Sequence, residues 1–430
     1  MPANPEKPLQ ATEASLYIHV PFCNALCDYC DFFSVPANAA LMDAFVGVLL
    51  DDVRDQLSVF GTQSIPSVYI GGGTPSALGA GRMEKLLAGL NSLLAKLKHR
   101  PVEFTVEANP ESADGDFLKT CRDGGVNRIS LGIQTFNIRS REEIGRQGRL
   151  SLLSDRLSLA ARHFPAAFCA DLMAGLPFQT MDVLAQDIKR LLEAAPAHVS
   201  LYSLILEPET PLGKRVCAPA ESSLPPGWPC RDEGDDLWIA GRDMLESAGF
   251  GQYEVSNFAR PGAQCVHNMR YWRMENWLGA GPAASGTVID ETGGTGRRLT
   301  YGQDVAAYLA VKRPLINNAA VVRIEELSQK DLMAESLLMG FRCKAGPDPQ
   351  KFKSRFGTDI KDCIPDTVMR WQKRGFFEET SGKNLPSENT SCENLRPSKN
   401  GLLFLNTFLR DAFVEWATGF ADAKPVALGE

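Results

Sequence analysis

Short apolar segments alternate with segments of helical periodicity through the first half of this 430-residue chain. One apolar segment ends just before Cys23, and further strands are predicted at 67–70, 104–106, 128–131, 168–173 and 199–204. Strands that alternate with helices indicate an α/β fold, with a parallel sheet and the helices outside it. Six units are too few to close an eight-stranded barrel. The alternation therefore predicts a partial, open (β/α)6 barrel.

The loop after the first strand carries three cysteines, Cys23, Cys27 and Cys30, at C-x3-C-x2-C spacing. Three is an odd number, so a disulfide would leave one thiol over. A zinc site usually has four ligands in two halves, and no second half lies nearby. Three thiolates on one loop suit an iron-sulfur cluster, and in a [4Fe-4S] cube they leave one iron open to another ligand. The spacing favours such a cluster over zinc or ordinary loop cysteines.

Charge and cysteine usage limit the class of protein. A net charge of −7 gives no basic footprint for nucleic acid. Eleven cysteines without a regular framework indicate a reducing compartment. The first residues lack the apolar core of a signal peptide, and no stretch approaches the length of a membrane span. We expect a cytoplasmic protein that is not an integral membrane protein and has no nucleic-acid partner.

Polar residues and glycines follow several of the predicted strands. Residues 71–73 are three glycines after the second strand, and Glu107, Gln134 and Asp171 each end an apolar run. Glycines in such a place are often a tight turn, and a lone carboxylate is often a helix cap. Active residues of parallel α/β folds, however, lie at the carboxyl ends of the strands. Together these residues suit a ligand rich in amines and hydroxyls.

The cysteine spacing resembles the signature of the radical S-adenosylmethionine (SAM) superfamily. Further motifs resemble the oxygen-independent coproporphyrinogen dehydrogenase group of that superfamily. These motifs are YIHVPFC at 17–23, GGGTP at 71–75, EANP at 107–110, SLGIQTF at 130–136 and DLMAGLP at 171–177. The resemblance covers most of residues 16–206 and implies a partial radical SAM barrel.

The resemblance also implies roles for individual residues. Cys23, Cys27 and Cys30 would hold a [4Fe-4S] cluster whose open iron is chelated by the amino and carboxylate groups of SAM. Tyr17 would pack on the cluster. The amino acid moiety of SAM would lie on Gly72, Gly73 and Thr74, and the rest of its pocket would be formed by Glu107, Gln134, Arg146 and Asp171. Arginine suits a carboxylate, which fits Arg146.

A second informative stretch contains the sequence HNMRYW at residues 267–272. It resembles the H-N-x-x-Y-W motif of the heme chaperone (HemW-like) branch. Imidazole is a common axial ligand of heme, so His267 is a candidate heme ligand and Cys265 a competing one. The ordinary alternative is a hydrogen-bonded structural histidine. The branch has a histidine where this chain has Ser285, so a heme contact or a hydrogen bond is expected to be missing there.

Two functions follow from the resemblance: a heme chaperone, or a coproporphyrinogen dehydrogenase that decarboxylates propionates. The dehydrogenase branch resembles C-x3-C-x2-C-x-C, but the position of the extra cysteine is Phe32 here. It also has a longer segment before the cluster. We therefore expect a heme chaperone with heme, SAM and the cluster as its cofactors. Its implied partners are heme-accepting proteins, including membrane-bound respiratory enzymes. A homodimer and a peripheral position at the membrane are compatible with the resemblance.

The domain division expected from the sequence has four parts. Residues 1–14 form a flexible N-terminus, 15–235 the barrel, 236–318 a connecting region, and 319–430 a smaller α+β, winged-helix-like domain. In the last part, a capping box at 328–331 starts one helix, another contains Val368 and Trp371, and strands are predicted at 375–378 and 402–405. Residues 380–400 are predicted to be a mobile insertion because they are polar and almost without apolar side chains.

Overall fold

The computed structural model describes residues 9–146, 148–216, 224–311, 314–378 and 395–419. Two segments are expected to be mobile, 1–14 and 380–400. Residues 1–8 of the first and 380–394 of the second lie outside these ranges.

The six predicted strands are present, and each pairs in parallel with the next. The predicted partial (β/α)6 barrel is thereby confirmed. Its strands are β1 Ser15–Val20, β2 Ser67–Gly72, β3 Glu103–Ala108, β4 Arg128–Gln134, β5 Phe168–Ala174 and β6 His198–Ser203. Its helices are α1 Ala39–Val59, α2 Gly79–Leu94, α3 Gly115–Asp123, α4 Ile138–Glu143, α5 Leu150–His163, α6 Met181–Glu193, α7 Pro211–Val216 and α8 Arg231–Ser247.

The sheet continues beyond the barrel on both sides. The additional strands are β7 Gly251–Gln252, β8 Asn257–Ala259, β9 Trp277–Ala280, β10 Ser285–Asp290, β11 Thr295–Tyr301 and β12 Val322–Leu327. The order across all twelve strands is β12-β11-β10-β9-β1-β2-β3-β4-β5-β6-β8-β7. β9 is parallel to β1, whereas β7, β8 and β10 to β12 pair in antiparallel fashion. The connecting region, together with β12 from the start of the C-terminal part, therefore completes the sheet that the barrel begins.

The two faces of the barrel sheet differ in chemistry, because successive side chains of a strand point to opposite faces. Leu16, Ile18, Val68 and Ile70 lie in the main apolar core, together with residues of α1 and α2. The opposite face is polar and internally hydrogen-bonded. Its contacts include Ser15 to Ser67 at 2.8 Å, Tyr69 to Glu107 at 2.6 Å, Ser130 to Asp171 at 3.3 Å and Cys169 to His198 at 2.8 Å.

Several barrel helices begin at a side chain that accepts a hydrogen bond from the first helical turn. Asn38, Asp114 and Thr180 do so for α1, α3 and α6. Such caps satisfy backbone N–H groups that have no partner within the helix. Among the helices in the described ranges, none combines the length and apolar character needed to cross a membrane.

The C-terminal part forms a second apolar core. The predicted capping box is confirmed, since Ser328 and Asp331 reciprocally cap the helix Gln329–Gly340. Aromatic side chains dominate this core, and the rings of Phe376 and Phe408 stack at 4.3 Å between centroids. The helices of the connecting and C-terminal parts are α9 Val266–Trp272, α10 Val305–Ala310, α11 Gln329–Gly340, α12 Pro349–Phe356, α13 Ile360–Cys363, α14 Pro365–Lys373 and α15 Leu405–Gly419.

The strand predicted at 402–405 is wrong. Gly401–Phe404 is a 3-10 helix, and α15 begins at Leu405. Leu402 and Leu405 are buried, whereas Leu403 and Phe404 are 38% and 58% exposed. Burial at every third residue is the helical pattern, and a strand would bury every second residue. In the described residues, the predicted strand at 375–378 is reduced to one bridge between Phe377 and Pro397.

We expect Phe408→Ala to lower the free energy of unfolding of the C-terminal unit by about 3–5 kcal/mol, because the fully buried ring leaves a cavity. Phe404→Ala is the matched control, since that ring is 58% exposed and its removal should change stability by less than about 0.5 kcal/mol. Urea unfolding followed by tryptophan fluorescence measures both. Equal losses in the two variants would contradict this packing.

Candidate functional site

The three cysteines of the signature lie on the loop between β1 and α1. Phe22–Cys23 forms a two-residue strand that pairs with Val35–Pro36 and closes the loop. Cys23 is buried, whereas Cys27 and Cys30 are partly exposed, and all three are free thiols. Burial raises the pKa of the Cys30 thiol to about 11 and also raises that of Cys23. These thiols must therefore lose a proton to become ligands of a metal cluster.

The loop is anchored to the glycines that follow β2. Gly73 donates its backbone N–H to Val20 at 2.9 Å, and Thr74 donates its backbone N–H to Phe22 at 2.8 Å. The Thr74 hydroxyl lies 3.2 Å from the sulfur of Cys23. A Cβ on Gly73 would come within 3.0 Å of the Phe22 carbonyl oxygen, and Gly72 has a φ of 108°. The close approach of the two loops therefore requires these glycines.

Glu107 joins the glycine loop to the middle of the barrel. One carboxylate oxygen accepts a 2.6 Å hydrogen bond from the Tyr69 hydroxyl, and the other accepts one at 3.3 Å from the N–H of Gly72. Burial, with a contribution from the charge of Asp171, raises the pKa of Glu107 to about 7 against the opposing Tyr69 bond. Asp171 lies in the middle of β5 rather than at its end, and burial raises its pKa as well.

Arg146 connects the far side of the cysteine loop to the end of β4. Its guanidinium donates to the Cys27 sulfur at 3.3 Å and to the Gly132 carbonyl at 2.6 Å. Gln134 ends β4 at a φ of 67°, in the left-handed region that non-glycine residues seldom adopt. Its Oε1 and the Nε of Arg146 are buried without a hydrogen-bond partner among the described residues. Buried polar atoms of this kind are usually satisfied by a ligand or water.

Most of the predicted SAM residues lie at one rim of the barrel. Thr74 bonds to Phe22 of the cysteine loop, Glu107 bonds to Gly72, and Arg146 bonds to Cys27. Asp171 lies deeper, in the middle of β5. The glycines, Glu107, Arg146 and the unpartnered amide of Gln134 fit SAM on a [4Fe-4S] cluster. The Tyr17 hydroxyl lies 3.1 Å from Nδ1 of His19, and its ring stacks on Tyr69 at 6.3 Å. Among the described residues, no group of three or more His, Cys, Asp or Glu side chains is arranged so that it could hold a single metal ion.

His267 lies elsewhere, beside the amino-terminal ends of the strands. Its Nδ1 is 2.9 Å from the hydroxyl of Ser67, the first residue of β2, and its Nε2 is 3.0 Å from the Tyr271 hydroxyl. It is 1% exposed, and burial lowers its pKa to about 3, so the ring is neutral. Ligation of iron by Nε2 would require Tyr271 to move. The role of His267 as a heme ligand stays a prediction.

Cys265 and Ser285 also occupy structural positions. The Cys265 thiol lies 3.4 Å from Glu103, whose carboxylate accepts the backbone N–H groups of Val266 and His267. Burial raises the pKa of the Cys265 thiol. Ser285 begins β10, and its hydroxyl is 3.4 Å from that of Thr300 on β11. Serine therefore retains a hydrogen bond at the position where the branch has histidine.

Tyr69 is the residue of this region that the sequence does not single out. Its hydroxyl binds Glu107, and its ring stacks on that of His267 at 5.1 Å between centroids. Tyr69 therefore contacts both ends of the barrel interior. The available signal was a single polar aromatic within an apolar run, which by itself has no specific meaning.

Comparison with known proteins agrees with this geometry. The family model for the radical SAM superfamily matches residues 17–191, and that for the HemN C-terminal domain matches 327–385. Coproporphyrinogen III oxidase (HemN) from Escherichia coli has the same fold, with a TM-score of 0.74 over 95% of this chain and 91% of that one, at 19% identity. The fold and the site thus define a radical SAM protein.

The more similar sequences narrow the family. Heme chaperone HemW of Lactococcus lactis is 35% identical over 80% of this chain and 85% of its own length. Heme chaperone HemW of Bacillus subtilis is 30% identical over 85% and 93%. Radical S-adenosyl methionine domain-containing protein 1, mitochondrial, of Bos taurus is 34% identical over 80% and 76%. The chain belongs to the HemW family of radical SAM proteins.

We expect the raised pKa of Glu107 to appear in the pH dependence of stability. Between its ordinary value of 4.5 and about 7 the folded state retains a proton that the unfolded state has lost. The free energy of unfolding therefore falls as the pH rises through this window, by up to about 1.4 kcal/mol per pH unit, because only the unfolded state has an ionised Glu107.

Urea unfolding of wild type and Glu107→Gln at pH 5, 6, 7 and 8 tests this expectation. Relative to wild type, the variant should gain stability from pH 5 to 7 and then level off. A difference in unfolding free energy that is constant over this range would contradict the raised pKa. Asp43→Asn is the control, because Asp43 is an exposed carboxylate whose pKa lies below its ordinary value.

Proposed function

We propose that this protein is a heme chaperone that binds heme and a SAM-coordinated [4Fe-4S] cluster and transfers heme to acceptor proteins. The observation that carries the proposal is the similarity to HemW of Lactococcus lactis and Bacillus subtilis over at least four fifths of the chain. Two local features support it. α9 contains the H-N-x-x-Y-W motif, and Phe32, 71% exposed beside the cluster loop, stands in place of a further cysteine.

In this proposal, Cys23, Cys27 and Cys30 hold the cluster and leave one iron to SAM. When bound, the pair supplies one-electron reduction chemistry. The chain's own residues bind and orient SAM. The Gly72 and Gly73 backbone allows close approach of the methionine carboxylate, and Arg146 adds a cation beside Cys27.

The carboxylates complete the pocket. Glu107 and Asp171 accept hydrogen bonds from the amino group and the ribose hydroxyls, and Gln134 Oε1 is the free acceptor at the rim. A protonated Glu107 can instead donate to SAM, since its pKa of about 7 places both forms near neutral pH. Tyr17 packs at the side of the same pocket.

The second candidate function is oxygen-independent coproporphyrinogen III dehydrogenase. The residues of the SAM pocket fit the dehydrogenase and the chaperone equally well, because both functions use them. The likeness to HemN is one of fold. Phe32 at the position of the extra cysteine favours the chaperone.

Heme acceptors in the chaperone proposal include membrane-bound respiratory enzymes, which a cytoplasmic chaperone would meet at the membrane surface.

We expect Cys27→Ala to lose most of the iron and the visible absorbance after anaerobic reconstitution, because two thiolates hold the cube poorly. Iron and sulfide analysis with absorbance spectra measures this loss. Cys230→Ala is the matched control, since Cys230 is an exposed thiol at the start of α8, and it should retain the wild-type iron content. Full iron in Cys27→Ala would exclude the proposed ligand set.

The function itself is tested on reconstituted wild type in two assays. Titration with hemin should give a saturable Soret change near one heme per chain, and transfer to a heme-free acceptor should follow. Coproporphyrinogen III with SAM and reductant should give no decarboxylated product. Decarboxylation without stable heme binding would replace the proposed function by the second candidate.

A further inference from the structure

The backbone makes an unusual turn at residues 133–135, where β4 ends. The register of β4 against β5 shifts between Gly132 and Gln134. The backbone N–H of Thr135 donates to the carbonyl of Ile133 at 2.9 Å, and Gln134 between them has a φ of 67°. This is the geometry of the rarer, strained kind of γ-turn. Such strain persists only where neighbouring groups hold the backbone, and it is concentrated at functional sites.

Arg141 of α4 binds the carbonyl groups of this turn. The side chain is 1% exposed, and its Nη1 donates to the carbonyl of Ile133 at 2.9 Å and to that of Thr135 at 3.3 Å. Its Nη2 donates to the carboxylate of Glu111 at 3.1 Å, which compensates the buried guanidinium charge. The two carbonyl groups that flank Gln134 therefore share one buried donor.

Asp187 of α6 binds the donor groups of the same turn and is 2% exposed. One carboxylate oxygen accepts from the hydroxyl of Thr135 at 2.6 Å, and the other accepts from the N–H of Phe136 at 2.8 Å. The Thr135 hydroxyl also accepts the N–H of Asn137 at 3.0 Å. Burial raises the pKa of Asp187 to about 6 against the opposing bonds from Thr135 and Phe136, so the carboxylate is mostly ionised at neutral pH.

The side chain of Gln134 lies beside the arginine of the candidate SAM site. A Cβ on Gly132 would come within 3.1 Å of the Gln134 Nε2 and 3.2 Å of the Arg146 Nη2, so both groups lie over the same glycine. Arg146 in turn contacts the sulfur of Cys27. The Oε1 of Gln134 is buried without a hydrogen-bond partner among the described residues. It is therefore an acceptor available to a ligand.

We propose that Arg141 and Asp187 are positioning residues, which hold the strained turn so that the Gln134 amide accepts a hydrogen bond from SAM. Each of the two buried, charged side chains makes two hydrogen bonds to residues 133–136. Neither was predicted to touch SAM, so both act through Gln134. This inference rests on the SAM-coordinated cluster of the proposed function and adds the residues that set the geometry of its pocket.

The alternative is that Arg141 and Asp187 only stabilise the fold, since loss of one partner in a buried network is destabilising. The dissociation constant for SAM separates the two roles. Support of the fold alone changes unfolding. Positioning changes the Kd for SAM in protein that still holds its cluster, and does so only while the Gln134 amide is present.

The first test is titration calorimetry with SAM on anaerobically reconstituted, full-length protein of matched iron content. Thr135→Val keeps the shape of the side chain and removes its bond to Asp187, whereas the control Thr135→Ser keeps the hydroxyl. We expect Thr135→Val to raise the Kd for SAM by about threefold or more, and Thr135→Ser to leave it within about 1.5-fold of wild type. The electron paramagnetic resonance spectrum of the reduced cluster, with and without SAM, gives a second measure of binding.

The second test repeats the measurement with and without the amide. Gln134→Ala should raise the Kd for SAM by about fivefold, because it removes one hydrogen-bond acceptor. Asp187→Asn and Arg141→Lys should each raise it by about threefold in the wild-type background, and by less than about 1.5-fold in the Gln134→Ala background. The effect should disappear there because the group that the two side chains position is gone.

The outcomes distinguish this inference from the function on which it rests. Wild type that binds SAM, with the same Kd in Thr135→Val, Asp187→Asn and Arg141→Lys, overturns the positioning role and leaves the proposed function standing. Equal losses with and without the Gln134 amide also overturn it, since the side chains would then act by another route. Wild type that holds the cluster and binds no SAM overturns this inference and the SAM-coordinated cluster of the proposed function together.

Discussion

The parallel pairing of β1 with a strand on each side is the constraint on which the site depends. β2 lies on one side and β9 on the other, so three loops leave the sheet next to each other. The loop after β1 carries the cysteines, and the loop after β2 carries the glycines. The turn after β9 is equally tight, because a Cβ on Gly281 would come within 2.4 Å of the His19 carbonyl oxygen. A side chain at Gly73 or at Gly281 would separate the loops that form the site.

The polar inner face of the barrel connects regions that are distant in sequence. Tyr69 lies at its centre, bonded to Glu107 toward the cysteine loop and stacked on His267 toward the opposite end. Buried polar groups persist when each has a partner. Here the partners come from both the barrel and α9, so the helix that carries H-N-x-x-Y-W is part of the barrel interior.

Local patterns predicted much of this architecture. The six strands, the cysteine loop and the polar residues beside it followed from periodicity and motif resemblance, because those features depend on neighbours in sequence. Asp171 is the exception, since it lies in the middle of β5 rather than at its end. The position of β9 beside β1 and the burial of His267 against Ser67 depend on residues about 200 or more positions apart, which no local pattern encodes. The apolar run at 402–405 was predicted as a strand, and the burial of Leu402 and Leu405 with exposure of Leu403 and Phe404 shows a helix instead.

The late arrival of β9 affects how the protein is made. Ser15 begins β1, the fifth of the twelve strands across the sheet, yet its partner Trp277 leaves the ribosome only after about 260 further residues, roughly ten to fifty seconds later at ordinary elongation rates. During that interval one edge of β1, next to the cysteine loop, has unpaired backbone groups. Exposed strand edges are sites of aggregation. The nascent barrel therefore has an exposed strand edge next to the cysteine loop until the connecting region has been synthesised.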